Sequence, residues 1–533
     1  MRFLTTSSGF GFLLIDYEMS KQGFVYLIGA GPGDPGLLTI KGKECLEKAD
    51  VLVYDYLVNP SLLQLAKKEA EKIYVGKKNN PKRVSQEEIN KILIEKAREG
   101  KIIARLKGGD PFIFGRGGEE AEELSRHGIP FEIIPGVSSI SAVPAYAGIP
   151  ITHRNLTSSF AVITGHEYPE KEKSSIPWEA LSKIETLVLL MGVRRLEGII
   201  KKLIEHGKPP DTPIAVITWG TLPRQKTFTG TIGEISLMLR EESIKPPAVI
   251  VIGKVVNLRS IINWFETKPL FGKRILVTRA KKQAGLLSRL LSEEGADVIE
   301  FPTIEITPPE SWSELDRAIE DLGNYDWIVF TSVNGVLFFF ERLKALKRDI
   351  RDLKGIKIAT IGEQTAKAVR ELGIHVDIVP EDFRAEGIVE SFKSINIEGK
   401  KILIPRAKEA RETLPAELSK MGARVYIAQA YQTRIPQSLE FAEKINTLLL
   451  EKKIDVITFT SPSTVRNFLS ILGNDKIALL NSKIACIGPV TAEYLRGLGI
   501  EPHIICKKRY TIEELVKEIV SYFRDSSGYP KNV

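Results

Sequence analysis

The stretch Arg105-Leu-Lys-Gly-Gly-Asp-Pro-Phe-Ile-Phe-Gly-Arg-Gly-Gly-Glu119 decides how the first half of this 533-residue chain folds. Before it, Ile102-Ile103-Ala104 reads as the end of a buried strand. After it, Glu119-Glu120-Ala121-Glu122-Glu123-Leu124 reads as the first turns of a helix, with acids at its positive end. Gly108 and Gly109 let the backbone approach a ligand closely, and Asp110 presents a carboxylate there. The plain alternative is an ordinary strand-to-helix connection. Glycine-rich loops at the ends of buried strands are where α/β sheets hold ligands.

Upstream, Phe24–Ile28 reads as a strand, followed by Gly29-Ala-Gly-Pro-Gly-Asp-Pro-Gly36, a helix from about Thr39 to Ala49, and a second strand Val51–Tyr54 ending at Asp55. This βαβ opening invites a dinucleotide-binding reading with Asp55 on the ribose. Pro32 argues against it because it has no N–H for a pyrophosphate, and Asp34 argues against it because its carboxylate repels one. A cationic ligand suits the loop better, and S-adenosylmethionine carries a sulfonium and no phosphate. Lys72–Val75 is a further strand, leading to Gly76-Lys77-Lys78, and Ser85 with Glu88 caps a helix to about Arg98. Phe131–Ile134 precedes Pro135-Gly-Val-Ser-Ser139, and Pro150–Arg154 marks a boundary between two αβ domains. Beyond it, strands at Phe160–Thr164, Thr186–Met191 and Ile214–Thr218 end in glycine-bearing turns, and Ala248–Ile252 is another strand, so several strand ends converge on one cleft.

The net charge of +8 favours acidic partners such as nucleic acid, phosphates or a polycarboxylate. Basic clusters do not exceed triples such as Lys507-Lys508-Arg509, and both signs mix along the helices, so a nucleic-acid surface is not expected. Cys45, Cys486 and Cys506 are far apart, and the six histidines lack ligand spacing, so neither disulfides nor a metal are expected. No apolar run reaches the length of a membrane span, and a reducing cytoplasm is the expected location. Residues 1–20 read as a tail, with Met19 an alternative start.

Residues 23–260 resemble uroporphyrinogen-III C-methyltransferases of the tetrapyrrole methylase family through GAGPGDPGLLT (29–39), VYDYLV (53–58), VGKK (75–78), RLKGGDPFIFGRGGEE (105–120), PGVSSISAVPAYAGIPITHR (135–154) and LLMG (189–192). The resemblance implies two αβα subdomains, about 21–136 and 137–260, with S-adenosylmethionine in the cleft and a homodimer formed through this half. It implies cofactor contacts at Pro32, Gly108, Gly109, Asp110, Ile113, Ser138, Ser139, Met191 and Gly220, a proton acceptor at Asp55 and a donor at Lys77. Ser138-Ser139 stands where some relatives have Thr-Ala, and both pairs are small. From the residues alone, Asp55 could instead cap a turn, Lys77 could be a surface lysine, and Met191 could be cleft wall.

After a linker at about 261–271 the pattern restarts as an internal repeat. Lys273–Ala280 returns as Lys400–Ala407, Asp326–Ser332 as Asp455–Ser461, and Lys357–Ala366 as Lys483–Ala492. Each copy alternates strands and helices, so two doubly wound parallel sheets are expected. The repeat, the AYQT segment (430–433) and the IGPVTA turn (487–492) resemble uroporphyrinogen-III synthase over 272–527, before a tail at 528–533. That resemblance implies one lobe from 272–302 plus 436–527 and another from about 305–430, with crossings near Pro302–Pro309 and Tyr431–Pro436. The matching cleft positions are Ser332, Tyr431, Ser461 and Thr491. Tyr431 could equally be a linker aromatic, and Thr491 could be a helix N-cap.

The expected protein is therefore a bifunctional enzyme acting on small tetrapyrroles. Its rivals are a nicotinamide-dependent oxidoreductase, or a two-lobed small-molecule binding protein.

Overall fold

The computed structural model describes residues 23–76, 84–165, 176–235, 242, 244–279, 281–381, 385–408, 412–435, 439–473, 477–507 and 509–527. The chain divides into two compact units, 1–272 and 273–533.

In the first unit, β1 (Phe24–Gly29), β2 (Val51–Tyr54), β3 (Glu71–Tyr74), β4 (Ile102–Lys107) and β5 (Phe131–Ile134) form a parallel sheet ordered β3-β2-β4-β1-β5. Buried Val, Leu and Ile residues fill β1 and β2, as a sheet covered on both faces requires. Helix α1 (Ile40–Lys48) starts at Thr39, whose side chain accepts the Gly42 N–H, and α2 (Gln86–Arg98) carries the Ser85/Glu88 capping box. Helix α3 (Gly117–Arg126) opens with Glu119 and Glu120, and α4 (Ser139–Tyr146) follows β5.

The second sheet of this unit holds β6 (Phe160–Thr164), β7 (Thr186–Leu190), β8 (Pro213–Thr218), β9 (Lys226–Thr231) and β10 (Ala248–Ile252) in the order β6-β7-β10-β8-β9. Only β6 and β7 pair in parallel; the rest is antiparallel. Strand β9 was not expected, because its Lys-Thr-Phe-Thr-Gly-Thr run lies on the sheet edge and carries little of the apolar pattern that marks buried strands. Residues 261–271, expected as a linker, pack onto this unit. Trp264 and Phe265 meet Tyr146 at ring-centroid distances of 5.0 and 4.8 Å, and Arg259 pairs with Glu266 at 2.5 Å.

The second unit has two sheets. One contains β11 (Arg274–Val277) and β12 (Asp297–Glu300). The other contains β13 (Glu305–Thr307), β14 (Trp327–Phe330), β15 (Lys357–Thr360), β16 (Lys401–Ala407) and β17 (Arg424–Arg434). The chain then returns to the first with β18 (Val456–Phe459), β19 (Lys483–Cys486) and β20 (Ile504–Ile505). The orders are β12-β11-β18-β19-β20, all parallel, and β13-β17-β16-β14-β15, parallel except for β13. Repeat-equivalent strands thus occupy equivalent places, yet each sheet draws β-strands from both repeats. The two crossing segments pair with each other, Glu305 opposite Arg434 and Thr307 opposite Gln432.

Candidate functional site

Three backbone ends meet above the first sheet. A Cβ on Gly136 would stand 2.4 Å from the Gly109 carbonyl oxygen and 2.6 Å from the Gly29 Cα, so side chains are excluded at this junction. Gly109 has φ +72° and exchanges two backbone hydrogen bonds with Gly31, at 3.2 and 2.7 Å. This stitches the loop carrying Pro32 to the Gly108–Asp110 loop. On its far side Gly33 abuts Gly220 and Thr221, and the Asp34 N–H donates to Thr221 Oγ1 at 2.9 Å. Ser138 caps α4, and the Ser139 nitrogen lies 3.8 Å from the place of a Cβ on Gly109, the only described atom within 4 Å there. Pro32, Gly108, Gly109, Asp110, Ser138, Ser139 and Gly220 therefore lie on loops that these contacts hold together. The side chains of Ile113 and Met191 are exposed, 39% and 53%.

Two carboxylates differ from their expected use. Asp110 does not hold its charge free toward a ligand: Oδ1 accepts the Phe112 N–H at 2.8 Å and Oδ2 the Gly136 N–H at 2.9 Å, bracing the loop. Asp34 accepts the Gly36 N–H at 2.7 Å and the Tyr146 hydroxyl at 2.7 Å, clamping its loop to α4. Burial and then this bond push the Tyr146 phenol well up. The Asp34 loop runs into a three-residue turn, Pro35–Leu37, before α1 begins. The helix terminus that a pyrophosphate would need is therefore not presented at this loop.

Left-handed backbone at Met191 (φ +55°), Trp219 (+49°) and Thr221 (+68°) marks the ends of β7 and β8, where strain collects at ligand sites. The Arg224 guanidinium sits 3.7 Å over the Trp219 ring, and Tyr56 meets that ring edge-on at 6.1 Å. Tyr56 adjoins Asp55. Asp55 Oδ1 accepts the Leu57 N–H at 3.3 Å, and Oδ2 lies 3.6 Å from Arg105 Nη2. Leu57 in turn packs where a Cβ on Gly108 would be, 2.7 Å from its own Cβ, so the Asp55 turn touches the glycine loop. Lys77 lies outside the described residues.

Arg105 and Lys107 are buried with Glu120, which accepts from both at 3.2 and 2.7 Å. Burial, then the Arg105 charge, lower the Lys107 pKa. Burial pushes the Glu120 carboxyl up, but the Arg105 and Lys107 charges outweigh it and hold it below the ordinary value. None of these three was picked out from the sequence as a functional residue. The available signal was two cations two apart in a strand, followed by an acid in the next helix.

In the second unit Ser332 caps the helix Val333–Ala345, accepting the Gly335 N–H at 3.0 Å, and its hydroxyl meets the Tyr431 hydroxyl at 2.9 Å. Tyr431 is not a linker aromatic: it lies within β17, 8% exposed, with its ring stacked on Phe338 at 5.8 Å. Ser461 caps Pro462–Ile471 in a capping box with Thr464. Thr491 is buried in the first turn of Pro489–Gly497, whose N-cap position is held by Gly488 with no side-chain cap, so Thr491 is not the N-cap. Ser332 and Tyr431 thus form one pair, and Ser461 and Thr491 follow the adjacent strands β18 and β19. Among the described residues no group of histidine, cysteine or acidic side chains could hold a metal, and no helix is long and apolar enough to cross a membrane.

Residues 25–236 match the family described as Tetrapyrrole (Corrin/Porphyrin) Methylases, and residues 286–517 match Uroporphyrinogen-III synthase HemD. The chain is 40% identical to Porphyrin biosynthesis protein HemD of Ruminiclostridium josui over 501 residues, 94% of this chain and 98% of that one. It is 52% identical to the Uroporphyrinogen-III C-methyltransferase of Methanocaldococcus jannaschii over 237 residues, 44% of this chain and 98% of the relative. Among solved structures it is similar to the native uroporphyrin III C-methyl transferase of Thermus thermophilus, with 39% identity over 44% of this chain and 100% of that one, TM-score 0.38. With both halves matched and the near-full-length relative spanned almost end to end, the chain belongs to the tetrapyrrole methylase family in its first half and the uroporphyrinogen-III synthase family in its second, a bifunctional enzyme of tetrapyrrole biosynthesis.

Proposed function

We propose that the second half cyclises hydroxymethylbilane to uroporphyrinogen III, with inversion of one ring and loss of water. The first half then adds two methyl groups from S-adenosylmethionine, giving precorrin-2 for sirohaem or cobalamin, and pairs with a second copy of itself. The observation that carries the methyltransferase reading is the pair of joined glycine loops beside Asp55. The bridge between Gly31 and Gly109 joins the two glycine loops, with the Ser139 nitrogen 3.8 Å from the place of a Cβ on Gly109 and the Gly220 carbonyl 3.2 Å from that of Gly33. These residues fit S-adenosylmethionine: small side chains, backbone groups and hydroxyls, with no cation among them to repel a sulfonium. Bound there, it supplies an electrophilic methyl group. Pro32, Gly108, Gly109, Ser138, Ser139, Met191 and Gly220 hold and orient it, with Ile113 at the rim. The methylated pyrrole carbon carries a side chain and no hydrogen, so the proton that balances methyl transfer leaves from elsewhere on the macrocycle; Asp55 accepts it, and Lys77 is the proton donor for the accompanying shift of double bonds.

Asp110 acts by shaping these loops. Asp110→Ala removes the acceptor for two backbone N–H groups, and S-adenosylmethionine affinity should fall roughly 5- to 150-fold, about 1–3 kcal/mol. Titration calorimetry on the full chain measures it; unchanged affinity in a folded variant would separate Asp110 from the site.

In the second half, Tyr431 with Ser332 is the candidate catalytic pair, and Ser461 and Thr491 face the substrate chain with helix N–H groups near its carboxylates. Tyr431→Phe removes the hydroxyl bonded to Ser332. A loss of about 0.5–1.5 kcal/mol in stability is expected from the hydrogen bond alone. A catalytic Tyr431 adds a fall in the maximal cyclisation rate at unchanged KM. Stability loss with full turnover would leave Tyr431 as a packing residue.

A further inference from the structure

Ile103, Arg105 and Lys107 alternate along β4 and so face the same side of its sheet, toward α2 and α3. Ile103 joins the aliphatic cluster of Val53, Leu93 and Leu124 on that side. The next two positions on the same face carry cations that are 3% and 4% exposed. Burying charge is costly unless it is paired, and here one acid does the pairing. Glu120, fully buried on α3, accepts through Oε1 from Arg105 Nε at 3.2 Å, Lys107 Nζ at 2.7 Å and Gln86 Nε2 at 3.1 Å. Its Oε2 is buried with no hydrogen-bond partner among the described residues. Arg105 directs Nη1 to the carbonyls of Leu106 at 3.2 Å and Val53 at 3.5 Å, and Nη2 to Asp55 Oδ2 at 3.6 Å. Arg105 thus spans from the helix acid to the carboxylate at the end of β2. Asp55 is only partly covered and is otherwise held by the Leu57 N–H, so the guanidinium is its one charged contact at short range among the described residues.

We propose that Glu120 is a positioning residue for methyl transfer: by anchoring Arg105 it fixes the orientation of the Asp55 carboxylate toward the glycine loops. This rests on the reading of Asp55 as proton acceptor. Glu120 acts through Arg105, not on the reacting atoms.

The test uses the full chain, uroporphyrinogen III and methyl-labelled S-adenosylmethionine at saturation. Glu120→Gln keeps the side chain's volume and one acceptor oxygen while removing its charge. Single-turnover methyl transfer per folded molecule should slow by roughly 10- to 100-fold, the scale of a misplaced catalytic group, with S-adenosylmethionine affinity held. A full rate overturns the proposal. Because the variant leaves two buried cations facing one acid, Glu120→Gln combined with Lys107→Met restores the balance and keeps the test open where the single variant fails to fold. There the rate should remain low, since Arg105 keeps only a neutral acceptor in place of its charged anchor; a normal rate would reduce Glu120 to charge balance and overturn the proposal. Asp55→Asn in the same assay separates the two ideas. Full activity in Asp55→Asn sinks the acceptor reading itself, whereas a slow Asp55→Asn beside a fast Glu120→Gln sinks only the positioning role.

Discussion

Replacing Asp55 by asparagine is expected to slow methyl transfer by about a hundred- to ten-thousand-fold, the usual worth of a general acid or base, while S-adenosylmethionine still binds. The asparagine carbonyl can keep the Leu57 N–H bond at the turn, so the local fold has an acceptor to retain. What disappears is basicity, together with the negative charge opposite Arg105. Since Arg105 is buried and also paired with Glu120, some stability loss accompanies the change. The two effects are separable. If Asp55 only caps a turn, the melting temperature falls and turnover per folded molecule survives. Single-turnover rates at saturating cofactor, normalised to folded protein, decide between them.

The second large effect falls on stability. Phe468 on Pro462–Ile471 is fully buried and meets Phe301 edge-on at 5.8 Å and Phe459 at 5.5 Å. Phe301 follows β12 in the first repeat, and Phe459 ends β18 in the second, so this ring joins strands that are far apart in sequence. Phe468→Ala should cost about 3–5 kcal/mol, from lost burial and the cavity left behind. In a unit of this size that is roughly 6–20 °C in the melting midpoint. Thermal scans of the full chain should show the loss in the second unit's transition, with S-adenosylmethionine binding by the first unit retained. A shift of a degree or two would mean the two repeats are not packed together through this cluster.

Much of the fold was legible because short apolar strands announce themselves. Val51–Tyr54, Phe131–Ile134 and Ala248–Ile252 are short apolar runs, and the structure places strands over those same residues. The capping box at Ser85 and Glu88 was legible for a similar reason: its chemistry is local. What escaped is non-local. Lys226–Thr231 pairs on a sheet edge, where polar threonines are tolerated and no apolar signal is required. Residues 261–271 read as a linker because Pro269 and Gly272 dominate the pattern, yet Trp264 and Phe265 find Tyr146 more than a hundred residues upstream. Gly108 and Gly109 drew attention through loop chemistry, and Gly220 through the resemblance. The hydrogen-bond partners of Asp34 and Asp110 were not legible, since a carboxylate's partners are set by which loops fold against it. Arg105, Lys107 and Glu120 drew no separate reading from the sequence; only the packing of α3 on β4 reveals that they are buried together.

One chain is expected to carry both reactions in sequence. The direct measurement is to incubate the purified full-length protein with hydroxymethylbilane and methyl-labelled S-adenosylmethionine under reducing conditions, then identify the tetrapyrrole by mass and isomer. The predicted product is the ring-inverted macrocycle carrying two labelled methyl groups. Recovery of only the uninverted isomer, or of the inverted macrocycle without label, would contradict it.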